Sequence, residues 1–155
     1  MTLREEIQAF WERFCFHKGI ARNTPWLDCF HFEMTRGAAE KLLGLVLAGV
    51  KQATCSSLYS FQAEQLRVPK QGDLSIVTDW EGHPHCVIQT TGVTLVPYRD
   101  VTWDMAKREG EDTEMVTWRR NHLAFFMAEG KELGYVFSPD MMVVFEDFQV
   151  VYMEE

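Results

Sequence analysis

Lys51 and Thr54 stand three residues apart in the run Gly49-Val50-Lys51-Gln52-Ala53-Thr54. A threonine hydroxyl can act as a nucleophile, but at neutral pH it is too weak without a base beside it. A lysine can serve as that base if burial lowers its pKa from the free value of about 10.4. Three residues along a tight turn bring two such side chains together. The same pair also fits a plainer role, a capped turn with a solvated lysine. His122 is a general acid–base group by residue type, yet its place on an apolar stripe equally suits a satisfied histidine at the core or pocket edge. His83 and His85 flank Pro84 and lack a third ligand, so they do not define a metal centre.

These residues need a scaffold, and the composition supplies one. The chain has 155 residues, 46% hydrophobic and 13% aromatic. That suits one domain spanning 1–155, with a core large enough to fold without disulfides or a structural metal. The four cysteines, Cys15, Cys29, Cys55 and Cys86, include no CxxC pair and read as free thiols in a reducing cytosol. The longest apolar runs, Leu42–Ala48 and Met141–Phe145, are too short to span a bilayer. The N-terminus mixes charge with apolar residues and does not read as a signal peptide. A cytoplasmic protein, with no membrane partner, is therefore expected. The net charge of -8 argues against strong nonspecific binding to a nucleic-acid backbone. It leaves room for a nucleoside or a single-stranded end in a locally basic cleft.

Along the chain, Leu3, Ile7, Phe10, Trp11 and Phe14 form one face of a helix from Leu3 to about Phe16, ended by Gly19. Trp26–Phe32 reads as irregular, with a docking strand. Thr35 can cap a second helix whose inner face holds Leu42, Leu45 and Val46 and which Gly49 terminates. Strands are expected at Ala53–Ser56, Leu74–Thr78, His85–Val96 and Met141–Tyr152, with a hairpin turn at Glu81-Gly82. Thr102 can cap a short helix, Trp103–Glu109, closed by Gly110. Thr113 can cap the next, to about Glu129, with Met115, Trp118, His122, Phe125 and Phe126 inward. Strands of mixed spacing interrupted by short helices indicate an α+β barrel rather than a doubly wound parallel sheet.

The segment LVLAGVKQATCS, followed by VPKQGD, VIQTTGV, VPYRDVTWDMAKREGED, WRRNH, FF and FSPDMMVVFEDFQVVY, resembles the ASCH family in order and interval from about Trp26 to Tyr152. The resemblance implies a PUA-like mixed β-barrel with flanking helices. Some ASCH proteins resemble amidohydrolases that remove an acyl group from N4-acylated cytidine, using a Lys and a Thr of a Gly-x-Lys-x-x-Thr turn and a Glu of a following short helix. By that likeness Lys51, Thr54 and Glu109 are the catalytic candidates. Glu109 would orient the lysine, move a proton or hold the cytosine edge. An ionised Glu109 would also raise the lysine pKa and oppose its use as a base. The sequence departs from the longer-form family pattern at Gly92, where most relatives carry an acidic residue in a TTEV-like sequence.

Ser56, Arg119, His122 and Ser138 are the candidate substrate contacts. Arg119 or Arg120 could meet a phosphate or a base, or lie on a solvated helix face. Ser138 opens either a loop bordering the cleft or a routine turn. Tyr59, Trp80 and Trp103 could stack on a base, although aromatics of a small barrel more often fill its core. The expected function is hydrolysis of a linear amide of a modified nucleoside, with no cofactor and no tightly bound metal. The alternatives are a ribonuclease acting on single-stranded RNA and a noncatalytic module that binds RNA or a modified base.

Overall fold

The computed structural model describes residues 1–154. Helix α1 (Leu3–Lys18) starts at a reciprocal cap between Thr2 and Glu5 and ends at Gly19 in the left-handed conformation. Helix α2 (Arg36–Leu47) is capped by the Thr35 hydroxyl, and α3 (Leu58–Ala63) by the Ser57 hydroxyl. The short α4 (Trp103–Ala106) is capped by Thr102 and runs into a 3-10 turn, Lys107–Glu109. Helix α5 (Met115–Leu133) begins one residue later than a Thr113 cap requires. Its N-cap is Glu114, which makes no side-chain capping bond. The preceding segment is tied instead through Asp112, whose carboxylate accepts from Asn121 Nδ2 at 2.9 Å.

Five strands form one mixed sheet: β1 (Cys29–Phe30), β2 (Ala53–Ser57), β3 (Leu74–Thr78), β4 (Pro84–Pro97) and β5 (Met142–Met153). Their order is β1-β3-β4-β5-β2. Only the β1–β3 pair is parallel. The β3–β4 hairpin turns where the Asp79 carboxylate accepts from the backbone N–H groups of Glu81 and His83. Both faces of the sheet are covered. On one, Phe10, Trp11 and Phe14 of α1 pack on Ile76 and Val87. On the other, Leu42, Leu43 and Val46 of α2 pack on Val77, Cys86, Ile88 and Phe148. A third cluster joins Trp118 and Phe126 of α5 to Ala53, Cys55, Val143 and Phe145. Double coverage explains why β3 is buried along most of its length instead of alternating with solvent.

The α+β class matches the sequence expectation, but the sheet is not closed into a barrel. The edge strands β1 and β2 do not pair with each other. Strand β1 has two residues, too few for a closing ladder. A cavity occupies the opening, lined by Cys29 and Phe30 on one side and Thr54, Cys55 and Ser56 on the other.

Candidate active site

Two glycine turns build the site. At the end of α2, Gly49 takes φ 75°. The backbone N–H groups of Val50 and Lys51 then both donate to the Leu45 carbonyl, at 2.9 and 3.1 Å. That hook reverses the chain and leads Lys51 into β2. The second turn closes the 3-10 segment at Gly110, φ 72°. It lies against the first: Gln52 N–H donates to Arg108 O at 3.0 Å. A Cβ on Gly110 would stand 2.4 Å from Val50 O, so no other residue fits without moving one turn off the other. Gly110→Ala is therefore expected to cost about 2–3 kcal/mol through overpacking and the left-handed backbone, seen as a Tm lowered by roughly 4–12 °C.

The clasp brings Glu109 and Glu111 to Lys51. Lys51 is 2% exposed, as is Glu109. Lys51 Nζ donates to Ala53 O (2.8 Å), Glu109 Oε1 (3.2 Å) and Glu111 Oε2 (2.7 Å). Those bonds use all three protons of an ammonium. Burial alone lowers the lysine pKa, but the Glu109 and Glu111 carboxylates outweigh it and the pKa is raised. Lys51 is therefore a fixed cation. The other Glu109 oxygen, Oε2, accepts from the Trp118 indole N–H and lies 3.0 Å from His122 Nε2. Burial disfavours the Glu109 carboxylate, yet Lys51 and His122 more than compensate and hold its pKa low. His122 Nδ1 donates to Trp118 O at 2.9 Å, so both ring nitrogens face acceptors. Burial opposes its charge, but the Glu109 carboxylate raises its pKa and favours imidazolium.

This network forms one wall of a cavity of about 640 Å³, within the range of roughly 300–1,000 Å³ that holds small molecules. Lys51, Thr54, Ser56, Glu109 and His122 all line it. Thr54 and Ser56 lie on the face of β2 opposite the buried Ala53 and Cys55. Two of the sequence candidates lie elsewhere. Arg119 donates to the carbonyls of Tyr98, Arg99 and Val101 and lies over the Tyr98 ring, so it ties α5 to the 3-10 turn Tyr98–Asp100. Ser138 accepts from Asp140 N–H in the loop before β5. The aromatic candidates also stand outside the cavity lining: Tyr59 stacks on Tyr135, Trp80 contacts His31, and Trp103 packs on the α5 cluster. Gly92 pairs with Asp147, whose carboxylate binds Arg108. An acidic residue there would stand beside Asp147 rather than beside the cavity-lining Glu146.

Sequence reasoning missed several cavity carboxylates, Glu111 and Glu33 among them. Glu111 holds Lys51 with one oxygen and is 20% exposed, whereas Glu109 is enclosed with both oxygens engaged. The Glu-Gly-Glu spelling around Gly110 was the available signal, since a left-handed glycine can turn both flanking carboxylates to one partner. Glu33 takes φ 67°, uncommon for a residue with a Cβ, and lines the cavity too. Burial and the Glu111 charge raise its pKa. No group of His, Cys, Asp and Glu among the described residues is arranged to hold a metal ion. His83 is bound to Glu6, and His85 to Asp79. No described helix is long and apolar enough to cross a membrane.

An open mixed sheet with flanking helices, shared with solved neighbours, places the chain in the PUA-like fold class. Residues 28–152 match the ASCH domain, and the chain belongs to that family, which is linked to RNA binding. Protein EF3133 from Enterococcus faecalis V583 is 31% identical, with TM-score 0.87, over 96% of this chain and 90% of that one. An ASCH domain from Lactobacillus crispatus JV V101 is 32% identical, with TM-score 0.81, over 95% and 96%. The hypothetical protein PH0355 shares the fold at 14% identity and TM-score 0.52, over 80% of this chain and 97% of that one. No curated protein matches the chain.

Proposed function

We propose that the protein is an amidohydrolase that removes the acyl group from an N4-acylated cytidine or a related small amide. The observation that carries this reading is the meeting of a fixed ammonium, a threonine hydroxyl and a partly exposed carboxylate at one cavity wall. Amide hydrolysis needs a nucleophile, stabilisation of the oxyanion and a proton for the leaving amine. Thr54 supplies the hydroxyl. Lys51 supplies positive charge beside the substrate carbonyl, whose oxygen takes the place of Glu111 as an acceptor of Lys51. Glu111, so released, accepts from the N–H of the scissile amide and orients it. Glu109, His122 and Trp118 hold Lys51 in place from behind.

The charge of the cavity favours a small neutral substrate over a polyanion. Asp28, Glu33, Glu64, Glu129, Glu132 and Glu146 line it together with the two carboxylates at Lys51. Phosphates threading such a cavity would meet repulsion that Lys51, already paired, does not offset. The decisive assay incubates the purified protein with N4-acetylcytidine and, separately, with single-stranded RNA. Release of cytidine and acetate, with the RNA intact, is expected. RNA cleavage without amide hydrolysis would replace the reading with a ribonuclease, and binding without turnover would replace it with a base-reading module.

The two carboxylates of the turn give a sharper expectation. Glu111→Gln should lower kcat/KM on N4-acetylcytidine about tenfold or more with little change in Tm, because it acts at the exposed side of Lys51. Glu109→Gln should cost about 3 kcal/mol of stability, because it removes the buried carboxylate that Lys51 and His122 share. Urea denaturation and steady-state kinetics on both variants separate the two effects.

A further inference from the structure

With Lys51 fixed as a cation, Thr54 needs another base. The sheet register supplies one. Thr54 of β2 and Glu146 of β5 are direct partners in the antiparallel ladder. Side chains of such a pair point to the same face, with Cβ atoms about 4.5–5.5 Å apart. Both residues line the cavity. Two further bonds along the glutamate carry its carboxyl carbon across a distance of that order, so a side-chain rotation brings an oxygen to the Thr54 hydroxyl; at rest the carboxylate is bound to Thr90 on the other side and makes no hydrogen bond with Thr54. The carboxylate is also oriented: Thr90 Oγ1 donates to Glu146 Oε2 at 2.7 Å, leaving Oε1 for a second partner.

We propose that Glu146 is the general base that activates Thr54, a role resting on the amidohydrolase reading for its substrate but not for its geometry. As Thr54 Oγ bonds to the amide carbonyl carbon, its proton passes to Glu146 Oε1. When the tetrahedral intermediate collapses, the C–N bond breaks and Glu146 returns that proton to the leaving nitrogen. An ester on Thr54 remains. Water then attacks the ester carbon and gives a proton to Glu146, and that proton restores the Thr54 hydroxyl as the ester bond breaks. One amide and one water become one amine and one carboxylic acid. The surroundings suit the task. The groups acting on Glu146 are Thr90, Asp73, Asp28 and Asp147, of which only the Thr90 hydroxyl favours its ionised form. Burial, with lesser help from the carboxylates, raises its pKa above the ordinary glutamate value, nearer the range in which a carboxylate takes up a proton usefully.

The test needs no knowledge of the natural substrate. The full chain is exposed to p-nitrophenyl acetate across a pH series, and acetylation is located and timed by peptide mass mapping. In the wild type, Thr54 should be acetylated at a rate that rises through an ionisation above the usual carboxyl range. Glu146→Gln should slow acetylation of Thr54 by about a hundredfold or more and abolish that ionisation. Thr90→Val removes the bond that favours the carboxylate and should move the ionisation to higher pH. If Glu146→Gln melts early, Glu146→Asp replaces it and should keep the ionisation at a reduced rate. A wild type unlabelled at Thr54, or a Glu146→Gln variant labelled at the wild-type rate, overturns the proposal. Glu146-dependent labelling without turnover of N4-acetylcytidine would keep the base and reject the nucleoside. Undiminished turnover in Glu146→Gln would do the reverse.

Discussion

Lys51→Met is expected to lose both turnover and stability. The methionine removes the charge that Glu109 and Glu111 share at 3.2 and 2.7 Å. Glu109 then keeps only His122 and the Trp118 indole as partners inside the core. Breaking a buried pair from one side costs about 3–5 kcal/mol, because the remaining charge has no water to return to. Urea denaturation should show that loss, and the double variant Lys51→Met/Glu109→Gln should lose less than the sum of the two single changes. The pH dependence follows from the directions of the shifts. The pKa of Glu109 is depressed on folding, so its contribution is present above the unfolded value of about 4.3 and lost as pH falls through the folded value. The pKa of His122 is raised, so its contribution is complete below about 6.5 and lost as pH rises through the folded value. Lys51 helps keep Glu109 ionised, so Lys51→Met should unfold at a higher pH than the wild type on acidification.

Thr54→Val should have a comparably large effect on catalysis and almost none on folding. Valine keeps the branched shape that β2 accommodates and deletes only the hydroxyl, on a face that opens to the cavity. Loss of the nucleophile should reduce kcat on N4-acetylcytidine by at least about a hundredfold. The unfolding free energy should stay within about 1 kcal/mol of wild type. Retained turnover in Thr54→Val would assign attack to a water molecule instead, with Lys51 and Glu111 as its partners.

Much of the scaffold was legible because its signals are local. Thr35, Thr102, Gly19 and Gly49 mark helix ends through backbone chemistry that acts over three or four residues. The long β-branched run that became β4 needed no tertiary information. The start of α5 was misread because Thr113 has the right residue type, while the chain before it is held by the Asp112–Asn121 bond. Closure of the sheet was equally hidden, since it depends on how β1 and β2 meet in space. At the site, Lys51, Thr54 and Glu109 were visible through their positions in a resembling motif. What no local pattern reveals is which of two carboxylates around Gly110 faces inward. Burial divides them: Glu109 supports Lys51 from within the core and Glu111 meets the cavity. Glu146 was overlooked for a related reason. In sequence it is one polar residue in a strand, and only the register with Thr54 makes it a neighbour of the nucleophile.

The most direct measurement is a time course of N4-acetylcytidine with purified protein, following cytidine and acetate together by chromatography. Catalytic, stoichiometric release of both products by the wild type, lost in Thr54→Val and in Lys51→Met, is the predicted result. An inactive wild type, or variants that release cytidine at the wild-type rate, would contradict amide hydrolysis at this site.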